Sequence, residues 1–186
     1  MSGPRLLASA ATPGLRRAVF GGDDDLDEGG LRAALALTTD LGGRADVWFS
    51  APSQAALQTA RALGHDDPVV EHALADPDYG QWTGLGLGDI AGTDPEGLQS
   101  WLTDPEATPH GGESLAAVRQ RAGAWLDKQA EQRIVAVAHP VVVRAALAHA
   151  LGLSDDGVWQ LDVSPLSLIR LTHRADRWHV SFPPAG

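Results

Sequence analysis

Residues 134–147 read IVAVAHPVVVRAAL. The first five positions are apolar without alternation and lie between a charged segment and a proline, the pattern of a strand buried on both faces of a parallel sheet. Pro140 suits the first turn of a helix, predicted over 141–151, and so puts His139 at the mouth between strand and helix. A histidine there feels the positive end of the helix dipole, which favours a neutral imidazole and a base or acceptor role. The same position equally suits a histidine that only caps or packs.

Outward from this unit, short apolar runs alternate with longer Ala-rich amphipathic stretches. Strands are predicted at Arg5–Ala8 and Val47–Ser50, and at Leu166–Leu171 and Trp178–Phe182 around a polar turn, Thr172–Arg177. Helices are predicted at Gly30–Asp40, Ser53–Leu63 and Glu113–Ala130, the last with Leu115, Val118, Ala122 and Trp125 on one apolar face. This order implies an α/β fold, a mostly parallel central sheet covered by helices, in a single domain over residues 1–186. The Gly-, Pro- and Asp-rich stretch Gly80–Gly112 reads as a long excursion over one sheet edge. Asp23-Asp24-Asp25 reads as a solvated loop. In such sheets ligands bind at the carboxyl ends of strands, which selects Ser9–Thr12, Ser50–Pro52 and His139-Pro140.

The 186 residues suffice for a core, with about 70% of the unfolded surface buried on folding. A formal charge of −10 disfavours nucleic acid and anionic membranes as partners. Cysteine is absent, so disulfides, thiolate metal sites and cysteine nucleophiles are excluded. The histidines show no paired metal-ligand spacing, and no metal or cofactor is expected. Without an apolar run of membrane-span length, and with Met1 leading straight into a strand, a cytoplasmic protein is expected.

Five segments resemble the histidine phosphatase superfamily, the fold of cofactor-dependent phosphoglycerate mutases. They are LLASAAT with LDEGG (6–12, 26–30), SAPSQAALQTARAL (50–63), LADPDYGQWTG (74–84), PHGGESLAAVRQR (109–121) and VAVAHPVVVRAAL (135–147). The resemblance implies a three-layer α/β/α sandwich. It also implies site residues, several of which have changed. The family's phosphate-clamping arginine and nucleophilic histidine after the first strand fall on Ala8 and Ser9, and a second clamp arginine falls on Ala55. The general-acid glutamate falls on Asp76, and the later pocket histidine is kept as His139.

These changes lead to the expectation of a remodelled pocket that binds a small ligand or a partner without conventional phosphoryl transfer. Two alternatives stay open. One is a non-phosphatase enzyme using His139 and Asp76, with Ser9 as a third member, in acid–base or hydrolytic chemistry. The other is a residual phosphatase or mutase in which Arg16, Arg17 or Arg144 replaces the lost clamps. Tyr79 is a candidate pocket wall. His110 is a candidate pocket residue that reads more simply as a surface-loop histidine, and Trp101 and Trp159 read as core or interface. The resemblance includes homodimers, and no feature of this chain decides its assembly.

Overall fold

The computed structural model describes residues 3–37 and 45–182, the side chains of residues 155 and 156 excepted. The elements run β1 (Arg5–Ala8), α1 (Pro13–Arg16), α2 (Glu28–Ala36), β2 (Val47–Ser50), α3 (Gln54–Ala62) and β3 (Val69–Val70). They continue with α4 (Leu87–Thr93), α5 (Pro95–Thr103), α6 (Leu115–Lys128), β4 (Ile134–Ala138), α7 (Pro140–Ala150), β5 (Leu168–Arg174) and β6 (Arg177–Ser181). Single 3₁₀ turns lie at His72–Leu74, Gly80–Trp82 and Asp155–Gln160.

The strands form one six-stranded sheet in the order β3-β2-β4-β1-β5-β6. The first four positions are mutually parallel, β5 runs antiparallel to β1, and β6 antiparallel to β5. The all-apolar β4 takes an interior place, with all five residues buried. Side chains alternate across β2: Trp48 stacks on His65 just beyond α3, at 3.7 Å between ring centroids, while Phe49 meets Trp125 of α6 at 5.5 Å. Those contacts put α3 and α6 on opposite faces. α2 packs on α3, and α6 on α7, so the expected α/β/α layering with a mostly parallel sheet is what forms.

Register decides where chemistry can sit. Ala8 pairs with Ala138 and Ser50 with Val137, so β1, β2 and β4 end at the same level. The next amides continue the ladder: Ser9 N–H donates to Ala138 O and Ala51 N–H to Val137 O, each at 2.8 Å. His139 leaves the sheet at this rim as the N-cap of α7, its Nδ1 accepting from Val141 N–H at 3.2 Å.

Several expected boundaries shift. α2 starts at Glu28, capped by Asp27, and the end expected at Asp40 lies outside the described residues. α6 starts at Leu115 because Ser114 is its cap, accepting from Ala117 N–H. β5 begins two residues later than expected because Leu166 turns the chain with φ +63°. The β5–β6 turn is only Ala175-Asp176, both in the left-handed region, as a two-residue hairpin requires.

The stretch 80–112 is not a bare loop. It holds α4 and α5, the latter opened by Asp94 as cap and Pro95 in its first turn. Nor does it lie beside an edge strand. It sits over the carboxyl ends of the strands, where its Trp82, Ile90, Leu98 and Trp101 bury together with Phe20 and Tyr79 in a second apolar cluster. Gly80 makes this close fit feasible, since its φ is +46° and a Cβ there would fall 2.2 Å from His110 O.

Candidate active site

Between the strand ends and that aromatic cluster lies a cavity of about 380 Å³, within the range of small-molecule sites. Asp76, Ser53, His139 and Arg144 form its polar end, each placed by a different element. Asp76 follows the 3₁₀ turn at His72–Leu74, and its Oδ1 accepts from Ser53 Oγ at 3.2 Å. Ser53 precedes α3, and Arg144 lies one turn into α7.

The backbone around Asp76 is held from below by Arg121 of α6. Its guanidinium makes a two-pronged ion pair with Glu113 (2.7 and 2.9 Å) and donates to Ala73 O and Ala75 O at 2.8 and 2.7 Å. Asp78 O then accepts from Glu113 N–H at 2.7 Å, closing the bracket on the other side of the acid.

Burial raises Asp76 above the ordinary carboxylate range, and Asp23 pushes the same way, while His139, the Ser53 hydroxyl and Arg121 pull it down. Burial lowers His139, opposed by Asp76 and helped by Arg144. Burial thus works against the charged form of each group, while their mutual attraction works for it. Because Nδ1 accepts the Val141 amide, the ring proton of the neutral imidazole belongs on Nε2. The site thus brings a carboxyl group, an imidazole and a guanidinium to one cavity end.

Arg144 supplies the positive charge. Its Nε is buried and has no hydrogen-bond partner among the described residues, and its nearest carboxylate, on the exposed Asp162, is 3.9 Å away. The side chain as a whole is 26% exposed and lines the cavity, and an accessible guanidinium on such a wall suits an anion. The other two candidate arginines do not reach the cavity. Arg16 is ion-paired with Asp27, whose carboxyl it holds down at about 2, and Arg17 donates to Pro13 O.

Ser9 follows β1 directly, its N–H bonded to Ala138 O next to His139. It is buried, no hydrogen bond links the two among the described residues, and only Ala55 of the three substituted positions lines the cavity. Ala8 is enclosed at the end of β1. His110 is neither a surface nor a pocket residue. It is fully buried against Tyr79 and Trp82, its Nδ1 accepts from Gly112 N–H at 3.0 Å, and burial lowers its pKa. Tyr79 does line the cavity, its phenol pushed up by burial.

Trp101 and Trp159, read from the sequence as core or interface residues, line the cavity and meet edge to face at 4.7 Å. Asp23 and Asp24 line it too; they are exposed, yet tethered, accepting from Gln54 N–H (2.6 Å) and Gly14 N–H (2.9 Å). The glycine pair before the acidic run, with both φ values positive, is the signal for a shaped turn there.

Comparison with known proteins adds to this geometry. A family model described as "Histidine phosphatase superfamily (branch 1)" matches residues 10–183. Phosphoserine phosphatase 1 of Hydrogenobacter thermophilus is 28% identical over 82% of this chain and 77% of its own length. A bifunctional protein of Mycobacterium tuberculosis is 34% identical over 79% of this chain, a match that spans 43% of that longer protein. Glucosyl-3-phosphoglycerate phosphatase of Mycolicibacterium vanbaalenii is 30% identical over 72% of this chain and 66% of its own length. Among solved structures, a mycobacterial glucosyl-3-phosphoglycerate phosphatase superposes with a TM-score of 0.85 at 24% identity, over 98% of both chains, which shows the shared fold.

These matches overturn the expectation, drawn from Ala8, Ser9 and Ala55, of a degenerate site without phosphoryl transfer. Relatives named for phosphatase activity recur, and Asp76, His139 and Arg144 line one cavity. Matched almost end to end by the family model, the chain belongs to the histidine phosphatase superfamily, branch 1.

Proposed function

We propose that the protein hydrolyses phosphomonoesters in the cavity between the strand ends and the aromatic cluster. The observation that carries this reading is that Arg144, His139 and Asp76 line one cavity at the carboxyl ends of the strands. Arg144 and the His139 Nε2–H hold the phosphoryl oxygens, and the protonated Asp76 faces the ester oxygen. Because no hydrogen bond joins the Ser9 hydroxyl to His139 among the described residues, the attacking oxygen is assigned to water. The water oxygen bonds to phosphorus as the ester P–O bond breaks. Asp76 gives its proton to the departing alcohol, the attacking water passes one proton to solvent, and the carboxylate is reprotonated from solvent, so that alcohol and inorganic phosphate leave with the acid restored.

The same reading takes residues 1–186 as one catalytic domain working in the cytoplasm on a small diffusible ester. It is supported by the continuous sheet and the absence of cysteine. No helix among the described residues is long and apolar enough to cross a membrane. The test is hydrolysis of a phosphomonoester panel between pH 5 and 8 by the wild type, His139→Ala and Asp76→Asn. Turnover in the wild type with a loss of 10²-fold or more in each variant is expected. No turnover above buffer by the wild type refutes the reading.

A further inference from the structure

Resting on that hydrolytic reading, we infer that the site selects phosphomonoesters whose alcohol portion is apolar, above all aromatic, and carries no second anionic group. The polar residues gather at the strand ends, but the rest of the cavity wall comes from α1, the segment 18–20, α4, α5 and the 3₁₀ turn at Asp155–Gln160. What these elements present is apolar: Leu15, Phe20, Leu87, Trp101, Leu102 and Trp159. Such a wall gains by covering a ring or an alkyl chain and offers nothing to a row of hydroxyls.

The wall also continues outward. Leu87 and Leu102 are 41% and 43% exposed in the free protein, so apolar surface is left open at the lip of a cavity. An aromatic leaving group reaching from the phosphoryl position toward Trp101 would cover it.

Charge points the same way. Arg144 is the one cationic side chain on the cavity wall among the described residues, whereas Asp23, Asp24 and Asp76 also line it. The phosphoryl group engages Arg144, and a further carboxylate on the substrate would meet Asp23 and Asp24 without a counter-charge. The acidic pair is held at the cavity by Gln54 N–H and Gly14 N–H, so it does not simply swing away.

Three esters of primary alcohols separate these effects without a large difference in leaving-group acidity: 3-phenylpropyl phosphate, glycerol 3-phosphate and 3-phosphoglycerate. The expected kcat/KM for the phenylpropyl ester exceeds that for glycerol 3-phosphate by at least tenfold, with 3-phosphoglycerate lower again by several-fold. Leu87→Ser/Leu102→Ser, at two exposed positions that do not threaten folding, lowers the phenylpropyl-to-glycerol ratio by about fivefold or more. Asp24→Asn keeps an acceptor for Gly14 N–H and raises 3-phosphoglycerate relative to glycerol 3-phosphate.

Equal or better use of 3-phosphoglycerate by the wild type, or a double-serine variant with the wild-type ratio, overturns the inference. If no ester is turned over, the hydrolytic reading falls separately and calorimetric titration decides the selectivity. Tighter binding of 3-phenylpropyl phosphate than of glycerol 3-phosphate supports it; equal or absent binding overturns it.

Discussion

Replacing Arg121 by methionine tests whether burial, rather than ion-pair geometry, governs the strength of the bracket behind Asp76. The protein contains its own control. Arg133 and Asp46 make a two-pronged pair at 2.8 and 2.6 Å, much like that of Arg121 and Glu113 at 2.7 and 2.9 Å. The partners differ in exposure: 52% and 51% for the first pair, 23% and 22% for the second. An exposed pair contributes about 0–1 kcal/mol, whereas removing one partner of a buried pair costs about 3–5 kcal/mol because the other charge is stranded. Arg121 also donates to two carbonyls, and bonds to charged groups contribute about 1.5–3 kcal/mol each. These terms overlap, and partial exposure softens them, so we expect Arg121→Met to cost about 3–4 kcal/mol and Arg133→Met, at an exposed position, to leave stability nearly unchanged. With a urea slope of roughly 2–3 kcal/mol/M, the first variant moves the tryptophan-fluorescence midpoint down by more than about 1 M and the second barely moves it. Glu113→Gln in the Arg121→Met background should restore part of the loss by removing the stranded charge. Equal midpoint shifts for the two arginine variants would refute the reasoning.

Asp76→Asn should abolish the alkaline fall in hydrolysis along with most of the rate, because activity in the wild type drops as pH rises through the raised Asp76 value and its proton is lost. The stability sign follows: a carboxyl raised by folding contributes fully below its unfolded value and loses that contribution as pH climbs through the folded one. The asparagine variant should therefore match or exceed the wild type in urea melts at pH 8, and a lower midpoint there would count against a buried acid. Arg144→Gln should lower kcat/KM for any phosphomonoester about 10- to 100-fold and weaken competitive inhibition by vanadate in parallel; a change under threefold would place the anion elsewhere. Ser9→Ala should stay within about twofold of wild-type kcat, since no hydrogen bond joins that hydroxyl to His139 among the described residues, and a hundredfold loss would put Ser9 into the chemistry.

The central unit was legible because two strong local signals coincide at 134–147: an uninterrupted apolar run and a proline suited to a first helical turn. The spacing of family segments then located Asp76, His139, Tyr79 and Arg144, all of which converge on the cavity. What local pattern could not show was partnership across distance. Asp23 and Asp24 read as solvent-facing, yet their acceptors meet amides 31 and 10 residues away. His110 looked like a loop residue because its company, Tyr79 and Trp82, is supplied by another loop. Trp101 and Trp159 carried no mark of which side faces a ligand. α5 was missed for a different reason. Its Asp94-Pro95 start is a proper helix signal, obscured by the surrounding Gly, Pro and Asp. The substituted letters at residues 8, 9 and 55 misled in the opposite direction, since two of the three do not line the cavity at all.

The β1–β4 pairing has a consequence for the order in which the protein acquires its site. Arg5 lies against Val135 and Ala8 against Ala138, so the innermost parallel contact closes a loop of about 130 residues. Such a contact forms slowly and cannot form on the ribosome until β4 has left the exit tunnel. Until then the N-terminal strand has an unsatisfied edge, and the rim that carries His139 does not exist. Ligand affinity should thus emerge late, with the final closure of the sheet, and not with the helices that ring it.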